Sequence, residues 1–192
     1  FCYTDEPHFS AMNIPGLEQN VILIDSVSKR YNLCGARIGC IVSHNKDVMA
    51  AAMKFAQARL CPPVLGQMAA IGALDTPDEY FDAVKEEYIK RRDFMIEGLN
   101  RMEGVFTPLP MGAFYTIAEL PVDDTECFAK WMLENFRIDN ETTMVTPAAS
   151  FYKTPGKGKN HARIAYVLEI DEMKKALHIL EEGLKAYPGR TL

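Results

Sequence analysis

The apolar run Val21-Ile22-Leu23-Ile24 feeds straight into Asp25-Ser26-Val27-Ser28-Lys29-Arg30-Tyr31-Asn32-Leu33-Cys34-Gly35-Ala36-Arg37-Ile38-Gly39, and this junction constrains the fold more than any other part of the chain. A β-branched run of that kind is predicted to be a buried strand. A lysine flanked by small hydroxyl residues then lies just beyond a strand end, where open α/β sheets collect ligand chemistry. Arg37 follows, behind Gly35, which is expected to let the backbone turn. Two hydroxyls, one lysine and one arginine suit a phosphate next to a reactive carbonyl. Arginine makes a bidentate phosphate contact, and a lysine amine forms a Schiff base.

The pattern S-x-S-K-x-x-x-x-x-G-x-R-x-G closely resembles the pyridoxal-phosphate lysine motif of class I/II aminotransferases. The resemblance implies an α/β chain of the aspartate aminotransferase type, fold type I. On it, Lys29 is the catalytic lysine that binds pyridoxal 5'-phosphate as a Schiff base. Ser26 and Arg37 hold the cofactor phosphate, and Ser28 supports that site. Phe1 to Ser10 resembles the segment that follows the family's D-x-x-Y motif, and members of the family are about twice this length. The chain therefore reads as a C-terminal half, expected to be inactive by itself. Residues 1–94 are expected to be the end of the large cofactor domain, including the linking helix and a remnant of its sheet. Residues 95–192 are expected to be a small α/β domain.

Composition narrows the function classes. The chain has 192 residues, of which 48% are hydrophobic, enough for a real core. A net charge of -5 argues against nucleic-acid binding. No apolar run reaches the roughly 18 residues that a membrane span needs. The five cysteines, Cys2, Cys34, Cys40, Cys61 and Cys127, are scattered and show no zinc spacing. No metal is expected, and the thiols read as reduced, as in a cytosolic protein.

The coarse element reading follows. A second strand is expected over Ala36 to Val42, and a helix capped by Asn45 runs from Lys46 to about Leu60. Cys61-Pro62-Pro63 ends it, and Val64 to Leu74 is a further helix. The longest helix is predicted from about Asp78 to Met102, with apolar residues at three- and four-residue spacings. Strands are expected over Gly112 to Ile117, Thr142 to Thr146 and Arg163 to Leu168. A helix over Asp124 to Phe136 should turn Phe128, Trp131, Met132 and Leu133 inward. Asp171 is expected to cap a terminal helix reaching Ala186.

A second constellation lies late in the chain. His161-Ala162-Arg163-Ile164-Ala165 resembles the family's strand whose arginine clamps the substrate α-carboxylate, so the resemblance implies Arg163 as the substrate-binding residue. A planar, permanently charged fork suits that task. His161 is expected on the face opposite Arg163. Gly112-Ala113-Phe114-Tyr115 matches a family core strand and is assigned no chemistry. The family's P-G-x-x-F-G loop stands here as Pro147-Ala148-Ala149-Ser150-Phe151-Tyr152, with both glycines replaced, which leaves its backbone route open. Lys153 to Lys159 is basic and glycine-rich but lacks P-loop spacing, and is expected to be a mobile surface loop.

The implied activity is transfer of an amino group between an amino acid and a 2-oxo acid, in a homodimer. Aspartate is the default amino donor, and aromatic or branched substrates stay open. A lyase or synthase of the same fold, or a non-catalytic binding piece, are the rival readings.

Overall fold

The computed structural model describes residues 1–192, which form two compact units, Asp5–Phe81 and Phe1–Thr4 with Asp82–Leu192.

In the first unit, β1 (Leu23–Ser26) pairs antiparallel with β2 (Gly39–Val42), in the register Leu23↔Val42 to Ser26↔Gly39. Between them lie a single helical turn, α1 (Val27–Arg30), and a 3-10 turn, Cys34–Ala36. The strand begins two residues later than the apolar run suggests, and every residue of β1 and β2 is exposed. The expectation of a buried strand is corrected here. These two strands form a two-stranded sheet, with no further strand hydrogen-bonded to either. Two helices follow, α2 (Lys46–Arg59) and α3 (Val64–Ala73). Asn45 caps α2, its Oδ1 accepting from the Asp47 and Val48 amides, as Asx residues do at N-caps. Leu60 then takes a positive φ of 73° before the two prolines. Within Asp5–Phe81 only Gly66 and Ala73 are buried.

The helix α4 (Asp78–Asn100) is the longest element, and the division between the units falls inside its first turn. Its second half carries the buried Met95, Ile96 and Leu99. In the second unit, β3 (Tyr115–Glu119), β4 (Thr146–Pro147) and β5 (His161–Ala165) form an antiparallel sheet in the order β3-β5-β4. The other elements are α5 (Thr125–Asn135) and α6 (Ile170–Ala186). Thr116, Ala118, Ala162 and Ile164 point into the core from the sheet. Phe128 and Met132 of α5 and Met173, Leu177, Leu180 and Leu184 of α6 meet them. The opposite sheet face is open, as alternation in a sheet covered on one side requires.

Several expected boundaries move, each for a local reason. Gly112 and Ala113 are not part of β3, because Ala113 has φ +63° and the segment pairs with Phe1 and Cys2 instead. The Tyr3 hydroxyl donates to the Ala113 carbonyl and the Tyr166 hydroxyl approaches it at 3.3 Å. Burial pushes the phenols of Tyr3 and Tyr166 above their ordinary range. The strand expected at Thr142 starts only at Thr146, since Thr142 and Thr143 spend their hydroxyls on the Met132 and Ala176 carbonyls. In α5, Leu133 is 43% exposed, so the inward face is Phe128 and Met132 with Trp131 at its margin. Asp171 lies inside the first turn of α6 rather than capping it, and the cap position is Glu169. Leu168 is exposed, since β5 ends at Ala165.

Candidate active site

Ser26 ends β1 and begins the turn that bears Lys29. Its backbone is extended, with φ -151°, and its Oγ accepts from the Ser28 amide at 3.4 Å. The Ser26 amide in turn donates to Asp25 Oδ1 at 2.7 Å. This is the hydroxyl capping that favours serine at such positions. It holds Ser26, Ser28 and Lys29 within one helical turn, with Lys29 exposed.

Arg37 sits two residues before Gly39, the cross-strand partner of Ser26. It therefore lies at the same end of the β1–β2 pair as the turn bearing Lys29. The left-handed residue at this corner is Arg37 itself, at φ +56°, and not Gly35, whose φ is not positive. A non-glycine residue in this region is uncommon and carries backbone strain of order 1–3 kcal/mol. Its guanidinium donates to the Cys34 carbonyl at 2.8 Å and makes no ion pair. Gly39 is required for another reason. A Cβ there would lie 2.9 Å from the Asp25 carbonyl oxygen.

A cleft of about 290 Å³ opens beside Ser26. Asp25, Arg30 and Tyr31 line its polar side, and Ile38, Ile71 and Leu74 are on its apolar side. Ser28, Lys29 and Arg37 are not among its lining residues, so of the predicted site residues only Ser26 borders the cleft, together with the motif's last glycine, Gly39.

In the other unit, Arg163 lies on the open face of β5, between Ile117 of β3 and Thr146 of β4. No carboxylate is within ion-pair distance of it. Its guanidinium carbon lies 5.5 Å from the Tyr115 ring centre and 5.4 Å from that of Phe151. His161 shares this open face, since two residues make one strand period. The expectation that it faces away from Arg163 is corrected. Its Nδ1 lies 2.9 Å from the Tyr152 hydroxyl. The altered loop keeps its strand pairing, Pro147 opposite Ala162, and the Ala148 amide donates to the His161 carbonyl at 2.9 Å. Ala148, where the family has glycine, has φ -108°, which any residue adopts, and it is fully buried.

The basic loop after it lies on the surface, as expected, and is held at its C-terminal end. The Thr125 amide and hydroxyl hold the Lys159 carbonyl at 2.7 and 2.9 Å. Gly158, at φ +75°, packs under the Tyr152 ring, and Lys157 Nζ lies 5.4 Å from that ring's centre. The residues missed by sequence reasoning are Tyr115, Phe151 and Tyr152. The signal for them was present, since strand periodicity puts Tyr115 and Arg163 on one face once the register is known. All five cysteines are free thiols, and no three His, Cys, Asp or Glu side chains converge as a metal site. No helix is long and apolar enough to cross a membrane.

Comparison with known proteins bears on this geometry. The family model described as Aminotransferase class I and II matches residues 1–180. An aspartate aminotransferase of Rhizobium meliloti is 28% identical over 89% of this chain and 42% of its own length. An LL-diaminopimelate aminotransferase of Natranaerobius thermophilus is 31% identical over 88% of this chain and 42% of its own. The crystal structure of an aromatic aminotransferase from Pyrococcus horikoshii superposes with a TM-score of 0.80 at 26% identity, covering 96% of this chain and 48% of that one. The chain spans less than half the length of the curated relatives it matches.

Proposed function

Because the chain belongs to the class I and II aminotransferases, we propose that it carries the lysine-bearing part of a site that moves an amino group between an amino acid and a 2-oxo acid. The fold is that of the fold type I aminotransferases. The family's cofactor is pyridoxal phosphate, and when bound it supplies the electron sink for the substrate α-carbon. The donor set here fits such a group. Ser26 and Ser28 offer hydroxyls, and Arg37 offers a guanidinium with no carboxylate upon it, all at one end of the β1–β2 pair.

In this reading Arg37 and Ser26 hold the cofactor phosphate, and Ser28 steadies the turn. Lys29 would hold the cofactor through its amine, and as a free amine its Nζ would carry the proton at the substrate α-carbon. Arg163 binds the substrate α-carboxylate, a planar fork being matched to two oxygens. Residues 1–94 are assigned to cofactor binding and 95–192 to the small domain that carries Arg163. Aspartate is the default amino donor. The full-length protein is assigned as a cytosolic homodimer. The 192-residue chain is expected to have no turnover alone, because both strands that flank its cofactor residues are exposed at every position.

The observation that carries this reading is the Ser26-capped turn that sets Lys29 beside the entry of Arg37. Its test is reductive trapping. The chain is mixed with one equivalent of pyridoxal phosphate, reduced with borohydride, and peptide-mapped. Label concentrated on Lys29, and dispersed in Arg37→Ala, is expected. Label spread over the exposed lysines in the wild-type chain would refute the assignment.

A further inference from the structure

Arg163 is an exposed cation with no ionic or hydrogen-bonding partner, yet its position is not left to chance. Its guanidinium carbon lies over two aromatic rings, Tyr115 from β3 and Phe151 from the 3-10 turn Ala149–Phe151. Both rings lie within the distance at which a cation is attracted by a ring's face. Neither ring accepts a conventional hydrogen bond from the guanidinium edge, so all five N–H donors stay available for an incoming ligand.

We propose that Tyr115 and Phe151 are positioning residues that hold the Arg163 guanidinium oriented for two-point recognition of a carboxylate. The proposal rests on the reading of Arg163 as the carboxylate anchor. A long side chain such as arginine loses considerable rotamer freedom when it is fixed. The rings absorb that loss before a ligand arrives, which is the general advantage of preorganisation. An acidic partner would fix the arginine equally well but would occupy the donors that the carboxylate needs.

Two further features hold the clamp in place. Tyr115 belongs to β3, whose register against β5 is fixed through five residue pairs. Phe151 is followed by Tyr152, and the hydroxyl of Tyr152 lies on His161, two residues before Arg163 on the same strand. The turn that presents Phe151 is thus tied to the strand that presents Arg163.

The test uses the 15N-labelled 192-residue chain, with the Arg163 Nε–Hε resonance followed as succinate, an unreactive dicarboxylate, is added. Succinate is expected to move this resonance saturably, and Arg163→Ala is expected to abolish binding. Phe151→Leu and Tyr115→Leu should each weaken binding about two- to fivefold, the range of an exposed cation–ring contact. Phe151→Tyr and Tyr115→Phe keep a ring and should bind within about twofold of wild type. In the ligand-free state each leucine variant should shift the Arg163 Hε resonance, because a ring current has been removed, with the unfolding midpoint unchanged. Wild-type affinity in both leucine variants, with binding lost in Arg163→Ala, would overturn the clamp and leave the anchor standing. Undiminished binding in Arg163→Ala would overturn the anchor itself, and the clamp with it.

Discussion

Gly158 and Gly156 offer a matched pair for testing how the loop over the sheet is held. Both have left-handed backbones, at φ +75° and +78°. A Cβ on Gly156 meets nothing within 4 Å, whereas one on Gly158 would lie 2.3 Å from Tyr152 Cε2. Gly156→Ala therefore bears only the backbone cost of an L-residue in that region, about 1–2 kcal/mol. Gly158→Ala bears the same cost and must also displace the Tyr152 ring. That displacement breaks the Tyr152–His161 contact, a further net loss of about 0.5–1.5 kcal/mol. The expected totals are about 1–2 kcal/mol for Gly156→Ala and about 1.5–3.5 kcal/mol for Gly158→Ala. Urea unfolding of the chain, monitored through Trp131 fluorescence in the same unit, reads both. In a Tyr152→Ala background the difference between the two glycine variants should vanish, because no ring is left to displace. Equal destabilisation by both substitutions in the wild-type background would show that Tyr152 yields freely, and the anchored description of this loop would be wrong.

Other perturbations separate the remaining roles. Burial and the Asp123 carboxylate that accepts its hydroxyl push Tyr187 up to about 12. The native state thus keeps its proton longer than the unfolded chain, so this contribution is full below about pH 10 and is lost as pH rises toward 12. Urea midpoints measured from pH 9 to 12 should fall less steeply in Tyr187→Phe, and parallel slopes would count against the shift. Arg37→Ala should weaken pyridoxal phosphate binding, read from its absorbance, while Arg163→Ala should not; equal losses would remove the division of roles. Purified residues 1–192 with added cofactor should give no measurable amino transfer from aspartate, and robust turnover would refute the view that these residues are only part of the site.

Much of this chain was legible before its structure. The Asn45-capped helix and the long helix from Asp78 depend on local chemistry, namely caps, prolines and periodicity, and these lie where the residues indicate. The errors arise where a partner decides. Val21 to Ile24 has the composition of a buried strand, but burial depends on what lies above the sheet, and no local pattern encodes that. Gly35 was expected to supply the turn because glycine tolerates left-handed angles, yet Arg37 takes them. Gly112 to Tyr115 is expected in a core strand on its resemblance to the family's, but Tyr115 is exposed, and its place on the open face follows from the Tyr115↔Ala165 register. Leu133 is misplaced by one helical position and Asp171 by two, which is enough to turn a side chain from the core or from the cap.

The uneven distribution of burial has a consequence in time as well as in energy. Local opening is cheapest where few apolar contacts must be broken, and exchange of backbone amides with solvent deuterium records it. In α2 and α3 only Gly66 and Ala73 are buried, whereas the second half of α4 is fixed by Met95, Ile96 and Leu99. Amides of α2 and α3 should therefore exchange early, and those from Met95 to Leu99 only when the whole unit opens. The turn with Lys29 belongs to the early class, so the lysine proposed to hold the cofactor is carried by a part of the chain expected to open readily, while Arg163, the proposed carboxylate anchor, lies on a sheet packed against the buried core.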